Sequence, residues 1–135
     1  NVMDTRIMLE MGAFKTAIPL MDESDLSYAQ ELLDAFHAER NPQRYDTLNL
    51  QFHLALYAPC NNDVALSMID QLHANSDRYL RPYYPKEDDS AFKSIEEHQA
   101  LIDACHSKDA ELACAVLRTH LESTKTLLLG SPLLN

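Results

Sequence analysis

The chain has 135 residues, 46% of them hydrophobic, which is enough for one core and too apolar for a disordered tail. Two glycines, no tryptophan and plentiful Ala and Leu argue against a turn-rich β fold and for helix. A net charge of −10 is a poor match to a phosphate backbone, so this chain is not expected to bind nucleic acid by itself.

Six helices are expected in order. The first covers residues 3–19, with Met3, Ile7, Leu9, Phe14, Ala17 and Ile18 on its apolar face and Pro19 interrupting it. Arg6 and Glu10 lie one helical turn apart and read as a surface ion pair. Asp22 or Ser24 caps a second helix to about Glu39, buried through Leu26, Ala29, Leu32, Leu33 and Phe36. His37 is expected near its exposed C-terminal end. Asn41-Pro42 opens a third helix, which carries Asn49 and His53 and stops near Ala58-Pro59. After an Asn61-Asn62 turn, a fourth helix runs from Asp63 to about Tyr79, with Leu66, Ile69, Leu72, Ser76 and Leu80 on its stripe. His73 neighbours that stripe without an obvious partner. Pro82 and Pro85 frame an acidic, solvated connection. The fifth helix spans 90–107 and the sixth 110–129, where Gly130-Ser131-Pro132 ends it. Six helices with short connectors predict an all-α antiparallel bundle and one domain over residues 1–135.

Cys60, Cys105 and Cys114 show no paired spacing and read as reduced, buried thiols of a cytoplasmic protein. No apolar run approaches a membrane span and no signal peptide is visible, so no membrane partner is expected. The chain opens on Asn1 and enters a helical pattern at once, which reads as a fragment of a longer protein.

His53, His98 and His120 each fall on or beside the apolar stripe of a different helix. A buried imidazole must satisfy its ring nitrogens. Two readings do this. Each histidine has its own hydrogen bonds, or all three share a metal in the bundle interior, a usual place for one. Asn49, one turn before His53, would add an amide oxygen as a fourth donor.

The segment Glu97-His98 through His120-Leu121 carries Ala104 six residues after His98, Asp109 eleven after it and Ala113 fifteen after it. Asn49-Leu-Gln-Phe52-His53 matches an Asp-x-x-Phe-His element, and Arg6-Ile-Met-Leu9-Glu10 an opening Arg-x-x-Leu-Glu. With Asn62 before the fourth helix, this frame resembles the C-terminal effector-binding FCD domain of FadR-type GntR transcription regulators over nearly the whole chain. The resemblance implies a divalent transition metal, zinc or else nickel, on Asn49, His53, His98 and His120. It also implies a small carboxylate effector gripped by Arg6, since a guanidinium matches a carboxylate bidentately. Arg78 is a second candidate, and Arg81 could equally serve. A homodimer is implied too, as is a winged-helix DNA-binding domain N-terminal to this one and absent from this chain, through which alone DNA would be bound. Two departures stand out. Asn49 replaces the Asp of many members with a neutral, poorer donor, and Lys108 replaces a Gly.

The leading expectation is therefore a ligand-sensing regulatory domain and not an enzyme. A metal-dependent hydrolase is the alternative, with water activated on the metal. Against it, the chain has no HExxH and no nucleophile elbow, and Glu96 and Glu97 are expected to point away from the face of His98. A metal-free helical interaction module is the third reading, with the histidines as core residues.

Overall fold

In the computed structural model, residues 2–80 and 89–129 are described, apart from the side chains at positions 42, 78–80 and 89–94. Six α-helices follow one another: α1 (Val2–Ala17), α2 (Glu23–Ala38), α3 (Pro42–Tyr57), α4 (Asp63–Leu80), α5 (Asp89–His106) and α6 (Ala110–Leu129). Single 3₁₀ turns, Ile18–Leu20 and Ala58–Cys60, follow α1 and α3. The first replaces the straight continuation of α1 through Pro19, whose ring cannot sit in an α-helical interior. Among the described residues there is no strand, and no helix is long and apolar enough to cross a membrane.

Local chemistry sets the helix starts. Asp22 accepts from Asp25 N while Asp25 reaches back to Asp22 N, a reciprocal capping box. Asn41 accepts from Gln43 N ahead of Pro42. Asn62 accepts from Ala65 N, and Asp109 from Leu112 N. Two tight reversals use the left-handed region: Asn61 at φ 57° before α4 and Lys108 at φ 59° between α5 and α6. Asn tolerates that conformation, whereas Lys has no side chain suited to it.

The chain then packs antiparallel. α1 lies against α3, α4 and α6, while α2 covers α3 and α5. Asp4 at the start of α1 meets Lys125 near the end of α6, and Glu10 meets His73 of α4 while Arg6 meets Ser76. Phe14, Leu33, Phe36, Phe52, Leu56, Tyr57, Ile69, Leu101, Leu117 and Leu121 fill the centre. Cys105 is buried, and burial, then the neighbouring Cys114, pushes its thiol up to about 12. His37 is half-buried, not exposed as its place near a helix end suggests.

Lys108 marks a correctable strain. Lys108→Gly is expected to raise the unfolding free energy by about 1 kcal/mol in urea denaturation, because Gly enters the left-handed region without a Cβ clash. An unchanged midpoint would mean that the Lys108 conformation carries no penalty.

Candidate functional site

One end of α3 presents three side chains at four-residue spacing, Asn49, His53 and Tyr57, all buried. α5 brings His98 and α6 brings His120 against His53. The ring centroids are 5.2 Å apart for His53–His98, 5.2 Å for His53–His120 and 4.6 Å for His98–His120. One ring nitrogen of each lies within 4.8 Å of the others, and all three residues are buried. Nitrogens bound to one tetrahedral zinc at about 2.0–2.1 Å lie about 3.4 Å apart, so small ring rotations close the difference. The edges of Phe36 and Phe52 flank His98, with centroids at 5.3 and 5.2 Å. Burial, then the neighbouring His98 and His120, holds His53 well below the usual histidine range, so the ring is neutral and suited to donate a lone pair.

Beside this trio sits a charged network. Arg6 and Glu10 are 3% and 0% exposed, so the expected surface ion pair is a buried one. Arg6 Nε donates to Glu10 Oε2 at 2.8 Å, and Nη1 to Ser76 Oγ at 2.9 Å. Tyr57 donates its hydroxyl to Glu10 Oε1 at 2.6 Å. Burial alone would raise the Glu10 carboxyl, but the adjacent Arg6 guanidinium overcomes it and holds the group well below the usual carboxylate range. Burial, reinforced by Glu10, pushes the Tyr57 phenol well up, so it stays a donor.

His73 closes the network. Its Nε2 is 2.8 Å from Arg6 Nη2 and 3.2 Å from Glu10 Oε1. One nitrogen cannot accept from the first and donate to the second. The guanidinium is always protonated and is closer, so Nε2 accepts from Arg6 and the ring is neutral with its proton on Nδ1. Burial first, then Arg6, keeps His73 below the usual histidine range.

The structure thus joins His53, His98 and His120, keeps Asn49 buried on the same α3 face, and places Arg6 in the adjoining network with most of its donors engaged. The side chain of Arg78 and all of Arg81 lie outside the described residues. Sequence reasoning missed Glu10, Tyr57, His73 and Glu97. The first had a signal: Met3, Arg6, Ile7, Glu10, Ala13, Phe14 and Ala17 form an unbroken buried stripe, in which Arg6 and Glu10 fill the core positions. From its sequence position Glu97 is expected to point away from the face of His98, yet its Oε1 meets His120 Nδ1 at 2.8 Å across the helix pair.

The FCD domain family matches residues 1–123. The chain is 26% identical over 132 residues to the "Uncharacterized HTH-type transcriptional regulator BphR" of Paraburkholderia xenovorans, covering 89% of this chain and 52% of that one. It is 25% identical over 131 residues to "Uncharacterized HTH-type transcriptional regulator YcbG" of Bacillus subtilis, covering 95% and 53%. The chain therefore spans about half the length of these curated relatives. A crystal structure of a transcriptional regulator, a GntR family member from Pseudomonas syringae, superposes with a TM-score of 0.79 at 25% identity, over 94% of this chain and 53% of that one. Escherichia coli McbR/YncC shares the fold with a TM-score of 0.82 at 24% identity, over 95% and 66%.

Removing one member of the buried pair should cost more than removing both. Arg6→Met leaves Glu10 buried and unpaired and is expected to destabilise by about 3–5 kcal/mol in denaturant unfolding, while Arg6→Met/Glu10→Met loses less. Metal-free protein should also weaken on acidification in two stages. His53 and His73 are lowered by folding, so the unfolded chain takes up protons first. Stability falls as pH drops below about 6.5, by up to about 1.4 kcal/mol per pH unit for each histidine. Glu10 contributes stability above about pH 4.3, its unfolded value, and this is lost as pH falls through the lower folded one. A flat profile between pH 7 and 5, read by chemical denaturation, would contradict the neutral buried histidines.

Proposed function

The chain belongs to the FCD domain family, and from that membership we propose that it is the ligand-sensing part of a GntR-type transcription regulator. In this reading His53, His98 and His120, with Asn49, hold a divalent transition metal, zinc or else nickel, and a small carboxylate effector binds beside it. The carrying observation is the convergence of three buried imidazole donors from three different helices within 4.8 Å. Neutral imidazole suits zinc and nickel alike, and a bundle interior excludes competing water.

Charge supplies the reason for a carboxylate. Asn49 and three neutral rings bring no anion to the cation, and Glu10 is already committed to Arg6. A carboxylate effector provides the missing negative charge. Arg6 keeps part of its fork for it only if the contacts to Ser76 and His73 rearrange. Arg78 on α4 is the second candidate.

The site also offers a route to regulation. Its donors stand on α3, α5 and α6, so occupancy ties three helices together. A ligand changes the output only by binding two arrangements with different affinity. The two arrangements belong to a homodimer whose DNA-reading winged-helix domains precede this one, in a cytoplasmic protein. Half-length coverage of the regulators it resembles supports a longer whole.

Elemental analysis of untagged protein purified without chelator is expected to show stoichiometric zinc or nickel, lost in His98→Leu. A panel of hydroxy acids, dicarboxylates and sugar acids should then raise the melting temperature of the loaded protein, a ligand at 100 times its Kd adding about 2.7 kcal/mol. Wild type that takes up neither zinc nor nickel would leave a metal-free binding domain. Turnover of an ester panel by the loaded protein would point to the hydrolase instead.

A further inference from the structure

Convergence of three rings does not by itself say which nitrogen each one offers. A neutral imidazole has one N–H and one lone pair, and the hydrogen bond made by one nitrogen decides the role of the other.

On α6, His120 Nδ1 lies 2.8 Å from Glu97 Oε1 of α5. A carboxylate oxygen facing a ring nitrogen accepts, so Nδ1 carries a proton, and in the tautomer with a single ring proton Nε2 has the lone pair. On α3 the same outcome is reached in more steps. Arg6 is permanently charged, and its Nε binds Glu10 Oε2 at 2.8 Å, which keeps Glu10 a carboxylate. The other carboxylate oxygen takes the Tyr57 hydroxyl proton at 2.6 Å. A hydroxyl has one proton. Toward His53 Nδ1, at 3.4 Å, Tyr57 therefore shows only lone pairs, and the contact is favourable when Nδ1 carries the hydrogen. The opposite tautomer would set a nitrogen lone pair against a carboxylate in one case and against a hydroxyl oxygen in the other.

We propose that Glu97 and the Glu10–Tyr57 pair are positioning residues that hold His120 and His53 in the Nδ1-protonated tautomer, leaving Nε2 as the nitrogen each offers to the trio. They act from outside, one from α5 on α6, the other from α1 through α3 itself. An acceptor held at Nδ1 fixes the ring so that Nε2 is turned to donate to a divalent cation. The inference deepens the metal reading and rests on it for its purpose, but the tautomers exist in the metal-free protein and are measured there. The proposal concerns His120 and His53; His98 is flanked by the edges of Phe36 and Phe52.

Long-range proton–nitrogen correlation spectra of the metal-free chain, with histidines assigned by substitution, give the tautomers directly. His120 and His53 are expected to show a protonated Nδ1 and a bare Nε2. Glu97→Ala should turn His120 into a tautomer mixture and weaken zinc binding about 10–100-fold. Glu97→Gln, whose amide oxygen still accepts, should retain most of both. Tyr57→Phe should release His53 alone and leave the His120 pattern intact, which a general loss of structure would not do. Locked tautomers in a wild type that takes up no zinc would support the positioning and sink the metal reading. An Nε2-protonated His120 or His53 in the wild type, or a Glu97→Ala variant with unchanged nitrogen shifts and zinc affinity, would overturn the proposal.

Discussion

A carboxylate with no exposed surface has to be answered within the protein, and Glu10 organises the bundle for that reason. The network around it spans three helices. Arg6 reaches it along α1, Tyr57 from the end of α3, and His73 of α4 accepts from the same Arg6. The contacts between helices, Tyr57 to Glu10 and Arg6 to Ser76 and His73, do not survive a slide of one helix by a turn, because a hydrogen bond tolerates only a few tenths of an ångström. The apolar core would accept several registers of Leu against Leu. The polar contacts that Arg6 and Glu10 make to α3 and α4 accept one, and so they give the helices their alignment more than their cohesion. Met3 Sδ at 3.6 Å and Ser76 Oγ at 2.9 Å occupy Nη1 of the guanidinium, so the charge is met by local dipoles as well as by its partner.

The histidine trio depends on that alignment. His53 sits one turn before Tyr57, so whatever fixes Tyr57 fixes His53. His120 and His98 come from helices joined by the tight reversal at Lys108, which holds α5 and α6 as a hairpin. Gln30 and Gln99 exchange two amide hydrogen bonds at 3.0 Å across α2 and α5 and add a second polar registration on the far side. Between them the three rings meet, with the edges of Phe36 and Phe52 packed against His98.

Much of this was legible in the sequence. Proline and cap residues placed the starts of α2 and α3, and α6 runs Ala110–Leu129 as periodicity indicates. His53, His98 and His120 stand out because an imidazole on an apolar stripe is unusual. What periodicity hides is depth. Arg6 and Glu10 at one-turn spacing look identical in sequence whether the face is wet or dry, and only the completed stripe from Met3 to Ala17 separates the two cases. Lateral reach is hidden as well. Glu97 is the sequence neighbour of His98, yet it contacts a ring on the neighbouring helix because the packing of α5 on α6 brings it there. His73 lacked any partner within its own helix, since its partners are on α1, more than sixty residues away.

The order of the helices has a consequence for how the protein is made. Of the six helices α1 leaves the ribosome before the others, carrying Arg6 and Glu10, yet the helices it lies against include α4 and α6. Until those are synthesised, a charged pair and Phe14 stand on an uncovered apolar stripe. The closing element is the last, since α6 brings His120 and the Leu117–Leu121 surface together. A nascent chain halted before α6 therefore holds two of the three imidazoles and no finished interior, an exposed intermediate of the kind that recruits chaperones. A product truncated before α6 lacks both His120 and the packing that α6 lends to α1 and α5.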